Sequence, residues 1–242
     1  ATPSAAIAWN DAERQRHFYL WLNQIAPDHG LVEHSLKLAS ADASFRRYFR
    51  IDSLHHGLPC SRIIMDAPPD KENCLPFVKV AGLMQAAGLH APQVLAWDEA
   101  QGFMLLSDLG AQTMMQVIHR EQPLANLPLY LQAVDALIAW QLSSQPAVLP
   151  HYDEPLLRRE LELFPDWYLG QHKGLQVDAS MRQTLDKAFE QIIRQNLSWP
   201  SVFVHRDFMP RNLMAPPTPG GPLGVLDFQD AVYGPITYDI AS

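Results

Sequence analysis

Cysteine is scarce. Only Cys60 and Cys74 occur in 242 residues, too few for a disulfide framework or a zinc cluster, so a reducing, cytoplasmic setting is expected. Long apolar runs are missing as well. The longest reach four to six residues, far short of the ~20 a spanning helix needs. The opening stretch, Ala1 to Asp11, has no basic start followed by an apolar segment, so neither a membrane span nor a signal peptide is expected. Positive charge is in deficit: 18 Lys and Arg against 26 Asp and Glu give a net charge of −8. Non-specific nucleic-acid binding draws most of its affinity from cations meeting phosphates, so that class of partner is excluded. An anionic substrate would need a local cluster of positive charge working against the global field. No internal repeat and no sign of an obligatory protein partner is present.

What is there is apolar and proline-rich: 48% hydrophobic residues, 18% charged, 20 prolines against 12 glycines. This is enough for a sizeable core in one large domain or two lobes. Asn10 to Ala26 predicts a capped helix that Pro27 stops, with Phe18, Trp21, Leu22 and Ile25 at helical spacing. The period then changes. His34 to Ala39, Phe45 to Ile51 and Ser61 to Met65 read as three antiparallel strands, with His55-His56 a surface turn. A helix over about Leu75 to Ala87, with Gly88 as its stop, and strands at Val94 to Trp97 and Phe103 to Leu106 complete a strand-rich part. Beyond Gly110 the pattern is mainly helical. The stripe Leu127, Leu131, Val134, Leu137, Ile138 and Leu142 predicts one core-facing helix, Pro155 to Gly170 a second, and Met181, Leu185, Phe189, Ile192 and Ile193 a third. Short strands follow at Ser201 to Val204 and Gly224 to Leu226. The expected fold is α+β, with a small antiparallel-sheet lobe over 1–106, a hinge at 107–110 and a larger helical lobe over 111–242. Two unlike lobes leave a cleft, the favoured place for a ligand.

The chemistry concentrates near the end. Val204-His205-Arg206-Asp207-Phe208-Met209-Pro210-Arg211-Asn212 is followed by Leu226-Asp227-Phe228-Gln229-Asp230, and each segment directly follows an apolar strand. The first is the His-x-Asp-x4-Asn pattern of a phosphoryl-transfer loop, and the second stands in the place of an Asp-Phe-Gly metal ligand. Mg²⁺ takes few hard oxygen donors from protein and the rest from phosphates and water. Asn212 and Asp227 meet that demand. Asp207 stays clear of metal to accept a proton from the attacking hydroxyl.

These motifs resemble the aminoglycoside phosphotransferase and choline kinase family, small-molecule kinases with a two-lobed, protein-kinase-like fold. Several segments are also similar to the bacterial anomeric sugar kinases that phosphorylate N-acetylmuramate and N-acetylglucosamine in cell-wall recycling. They include Asp42 to Arg50, Met65-Asp66-Ala67-Pro68-Pro69, Leu106-Ser107-Asp108-Leu109-Gly110 and Arg159-Glu160-Leu161-x-x-Phe164. The resemblance implies ATP and Mg²⁺ as cofactors, Asp207 as base, Asn212 and Asp227 as metal ligands, and a small-molecule sugar as acceptor. It also implies that the turn Ala41 to Phe45 covers the phosphates, with Ser44 and Arg46 as donors, and that Ser107 to Leu109 presents backbone groups to adenine. Asp239 is implied as a structural residue that holds the catalytic loop. The larger lobe of such kinases normally runs on beyond a segment like Tyr238 to Ser242.

Two departures stand out. The third strand carries Met65 roughly where a phosphate-binding lysine is expected, leaving Arg46, Arg47, Arg50, Lys71, Lys79 or the metal to neutralise charge. Met209 stands where protein kinases carry a lysine two residues after the base, and only 15 residues follow Asp227. Both argue against a protein substrate. For the acceptor, Arg158, Glu160, Trp167, Tyr168, Arg206, Arg211 and Asp230 are candidates, an aromatic platform and an Arg fork suiting a sugar acid. Two other readings stay open: an antibiotic O-phosphotransferase, whose polycationic substrates suit an acidic chain, and a catalytically inactive kinase-fold binding module.

Overall fold

The computed structural model describes residues 7–41, 45–218 and 220–242. Its first helix, α1 (Ala12–His29), starts one residue later than the sequence suggests, because Asp11 is the cap. The Asp11 carboxylate accepts the N–H of Glu13 and of Arg14 at 2.8 and 3.1 Å. Pro27 does not stop α1. It sits inside the last turn, while Phe18, Trp21, Leu22 and Ala26 bury the helix face, and the chain turns off only at Gly30, φ 58°. A Cβ at Gly30 would come within 2.3 Å of the Leu54 carbonyl oxygen, so the stop is a close approach to a strand as well as a left-handed residue.

Five antiparallel strands follow: β1 (Lys37–Ala41), β2 (Arg47–His55), β3 (Leu58–Asp66), β4 (Val94–Asp98) and β5 (Phe103–Ser107), in the order β1-β2-β3-β5-β4. The β2–β3 hairpin turns at His56 and Gly57, φ 51° and 78°, the paired left-handed residues of a tight hairpin. His34 lies in a 3₁₀ turn rather than in β1. Alternation along β2 decides what each face does. Phe49 and Ile51 point to α1, where they join Phe18, Trp21, Leu22, Ile64, Phe103 and Leu105. Tyr48 points to the other face, against Met65, Met104 and Leu106 and the helix α2 (Leu75–Ala86).

The second core does not end at the sheet. It runs from Met65, Phe77 and Met84 through Leu137 and Trp140 to Phe203, Leu213, Val225 and Phe228, so strand-rich and helical parts share one apolar interior. The helical part comprises α3 (Met114–Val117), α4 (Leu127–Leu142), α5 (Glu154–Leu163), α6 (Ala179–Leu197) and α7 (Tyr238–Ala241). The predicted stripe on α4 requires correction. Only Ala133, Leu137 and Trp140 are buried, while Leu127, Leu131, Val134, Ile138 and Leu142 are exposed by 48% or more. The helix is apolar on two sides, and periodicity alone does not say which side meets the core.

The helix expected over 155–170 is two segments. After Leu163 the coil widens into a π-helical stretch, Phe164–His172. Pro165 has no N–H for the α-helical ladder, and the chain resumes with Lys173 N–H bonding Tyr168 O, five residues back, at 3.0 Å.

Two small ladders set up the chemistry. Strand β6 (Ser201–Val204) pairs with β9 (Val232–Pro235), and β7 (Leu213–Met214) pairs with β8 (Gly224–Val225). No helix among the described residues is long and apolar enough to cross a membrane.

Candidate active site

Strand β6 ends at Val204, and His205, Arg206 and Asp207 follow it at once. Arg206 has φ 79° and Asp227 φ 61°, left-handed conformations that cost a non-glycine residue free energy unless neighbours hold them. The holder of Arg206 is Asp239. Its buried carboxylate accepts the N–H of His205 at 2.7 Å and of Arg206 at 2.9 Å, as expected of a residue that fixes the loop. Burial nonetheless pushes the Asp239 carboxyl up to about 6, against the pull of those two N–H groups.

His205 connects the loop to the second motif. Its Nδ1 accepts the Asp207 N–H at 3.2 Å, so the ring proton sits on Nε2 and is donated to the Leu226 carbonyl at 2.9 Å. Burial drives its pKa down to about 4, and the ring is neutral. The backbone of Asp207 is thus tied to the residue that immediately precedes Asp227.

Asn212 closes the arrangement. Leu226 N–H bonds Asn212 O at 2.9 Å as an extension of the β7–β8 ladder, which brings Asn212 beside Asp227 although 15 residues separate them. The Asn212 amide nitrogen donates to Asp207 O at 2.9 Å and faces Asp227 Oδ2 at 3.3 Å. That leaves the amide oxygen, with the Asp227 carboxylate, as hard donors suited to a small divalent cation. Gln229 Nε2 donates to Asp227 Oδ1 at 2.8 Å and orients the carboxylate from the other side. Among the described residues no hydrogen bond reaches the Asp207 carboxylate. Burial first, and the neighbouring Asp227 charge second, raise its pKa above the ordinary value.

The remaining sequence candidates divide. Arg211 and Asp230 are exposed, and their charges act directly on Asp207. Glu160 is held by the Tyr152 hydroxyl and by Arg206 Nη2, the latter at 2.5 Å, so it joins the site through the loop. Arg158 instead pairs along its own helix with Glu154 at 3.8 Å, and Trp167 is 65% exposed on the π-helical segment, outside the core. Tyr168 stacks on Phe164.

In the segment 107–110, the Ser107 N–H goes to Gln93 O and its hydroxyl accepts the Gln93 N–H, whereas no partner for the Leu109 N–H appears among the described residues. Asp108, between them, takes Arg50 Nε at 2.6 Å and the Ser61 hydroxyl at 2.6 Å, tying this segment to β2 and β3. Ser44 and most of its turn lie outside the described residues. Arg46 pairs with Glu72. No side-chain role for Glu72, Asp108 or Gln229 could be read from the sequence. Gln229 alone carried a local signal, standing two residues after Asp227.

Comparison with known proteins adds the family and fold relatives of the chain. The phosphotransferase enzyme family matches residues 35–242. The chain is 47% identical over 239 residues to an N-acetylmuramate/N-acetylglucosamine kinase of Pseudomonas aeruginosa, covering 96% of this chain and 68% of that protein. It is 49% identical over 207 residues to the Pseudomonas putida protein of the same name, covering 85% of this chain and 58% of that one. The chain therefore spans about three fifths to two thirds of these relatives. In fold it is similar to an aminoglycoside phosphotransferase solved with GDP and kanamycin, at TM-score 0.64 and 16% identity, covering 92% of this chain and 75% of that one. Over residues 35–242, most of its length, this chain belongs to the phosphotransferase enzyme family.

Proposed function

We propose that the protein transfers the γ-phosphoryl group of ATP to the anomeric hydroxyl of an N-acetyl amino sugar, N-acetylmuramate or N-acetylglucosamine, in the recycling of cell-wall material. The observation that carries the reaction type is the meeting of Asp207, Asn212 and Asp227, joined by the two bonds of the Asn212 amide. The two Pseudomonas relatives, kinases by name for these sugars, support the acceptor.

Asp207 receives the sugar hydroxyl and takes its proton as the new O–P bond forms, while the bond to the β-phosphate oxygen breaks and ADP leaves. Its carboxylate is free to turn toward that hydroxyl because the backbone, not the side chain, is what His205 and Asn212 hold. Asn212 and Asp227 would hold Mg²⁺, which offsets the charge of the polyphosphate when bound. Leu109 offers a backbone N–H to the adenine. Arg211, exposed beside Asp207, suits the carboxylate of a sugar acid through a two-pronged grip.

Labelled ATP tests this directly. The purified protein is expected to label N-acetylmuramate or N-acetylglucosamine at the anomeric position and to leave kanamycin unlabelled. Transfer to kanamycin with neither sugar labelled would replace the acceptor assignment.

A further inference from the structure

We infer that Glu160 is a positioning residue, not a sugar ligand: with Tyr152 behind it, it fixes the Arg206 side chain and thereby the aim of Asp207; this rests on the kinase reading above.

Arg206 stands directly before Asp207, and its φ of 79° is a conformation that a non-glycine residue leaves unless it is held. Any rotation about its backbone passes through the shared peptide plane to Asp207. Asp239 holds the backbone, accepting the Arg206 N–H at 2.9 Å. The side chain has a separate anchor. Its Nη2 donates to Glu160 Oε1 at 2.5 Å, while Nη1 reaches the Asp230 carbonyl only at 3.5 Å. Nε is buried and finds no partner among the described residues, so the orientation of the guanidinium falls to Glu160. A charge-assisted bond of this kind is roughly twice as strong as a neutral one.

Glu160 is itself held from behind. Its other oxygen accepts the Tyr152 hydroxyl. Tyr152 is buried, and its N–H bonds Tyr233 O at 2.9 Å on β9, the partner of the strand that ends at the loop. Burial first and the Glu160 bond second raise the Tyr152 pKa, which keeps the hydroxyl a donor. The Tyr238 ring stands edge-on to the Tyr152 ring, with centroids 5.3 Å apart. A sugar hydroxyl at Glu160 would have to compete with a cation and a phenol already bonded to its two oxygens.

The helix sets the reach of Glu160. Leu157, three residues earlier on α5, is buried with Val204, the last residue of β6. The face that seats α5 on the strand therefore also presents Glu160 to the arginine two residues beyond that strand. Four residues after Glu160 the coil widens into the π-helical stretch that carries Trp167 and Tyr168. One carboxylate thus ties that stretch to the catalytic loop.

Steady-state kinetics with N-acetylmuramate and N-acetylglucosamine, on variants whose folding is checked by thermal melting, tests this. Glu160→Gln keeps the shape and removes the charge. Its kcat and kcat/KM are expected to fall together by roughly 10- to 100-fold, the cost of a misaimed catalytic group, with KM for sugar and ATP unchanged. Glu160→Asp, which keeps the charge, recovers part of the rate. Arg206→Gln lowers kcat in the same sense, and the double variant with Glu160→Gln is no worse than the poorer single one, because both act through one contact. Tyr152→Phe loses less and carries the test should Glu160→Gln fail to fold. A sugar KM that rises with kcat unchanged makes Glu160 a ligand and overturns the proposal. So does full kcat in folded Glu160→Gln or, in its place, Tyr152→Phe, the result of a role in stability alone; so do losses that multiply in the double variant. A wild-type protein that labels neither sugar brings down the acceptor reading, and this inference with it.

Discussion

At Asp207 the chain supplies a carboxylate held by its backbone, and the loop around it is built from single bonds of known direction. Asp207→Asn should lower kcat by ~10²–10⁴ while leaving nucleotide affinity intact, as removal of a general base does; titration of ATP alongside turnover checks both halves. Two buried groups behind it titrate in opposite senses. His205 has its pKa lowered from 6.5 to about 4, so the neutral ring contributes stability above 6.5 that is lost as pH falls through 4. Asp239 is raised from 3.8 to about 6, so its contribution is present below 3.8 and lost as pH rises through 6. The penalty of His205→Gln in urea unfolding should therefore shrink from pH 6.5 to 4, and that of Asp239→Asn should shrink from pH 4 to 6. Equal slopes for the two variants would refute the assignment. That Asp207, Asn212 and Asp227 come together was expected from the sequence because each motif is local and its chemistry narrow. The strain at Arg206 and Asp227 was not, because a left-handed backbone at a non-glycine residue is imposed by distant partners such as Asp239.

Among the elements, α1 shows where pattern reading succeeds and stops. Phe18, Trp21 and Leu22 announced an amphipathic helix, and they are the residues buried against β2, β3 and β5. What the pattern did not reveal is that Arg14 of α1 and Arg47 of β2 share one buried acceptor, Asp66, with Arg47 also lying over the Trp9 ring at 4.1 Å. Asp66→Asn leaves two guanidinium groups without their carboxylate and should cost about 3 kcal/mol, the lower end for breaking a buried ion pair since both arginines are partly exposed. Chemical denaturation measures it; a loss below about 0.5 kcal/mol would make the triad ornamental, within the range of ordinary surface substitutions. The π-helical turn after Leu163 was equally hidden. Proline was visible at 165, but whether a helix breaks, kinks or widens there depends on what packs around it.

For the whole molecule, the exposed side of α4 is the largest departure from expectation. Leu127, Leu131, Val134, Ile138 and Leu142 form a stripe along one helix face in solvent, and contiguous apolar surface of this kind is unusual. The 242-residue chain should bind an apolar dye such as ANS in its native state, and Leu131→Glu with Ile138→Glu should reduce that fluorescence by more than half with the melting temperature unchanged. Undiminished dye binding would locate the apolar surface elsewhere. The acidic total and the absence of a lysine from the third strand are readable without coordinates. Which cations lie on which face of the sheet is not, since alternation assigns a side to each residue only once register and strand order are known. By itself, then, the sequence determined the reaction class, through two carboxylates and one amide in motifs that resemble those of a kinase family, and the order of helices and strands, through hydrophobic period. Tertiary structure alone decided how Arg46 meets Glu72, which face of α4 is covered and how Asn212 reaches Asp227, because each depends on long-range packing that no local pattern encodes.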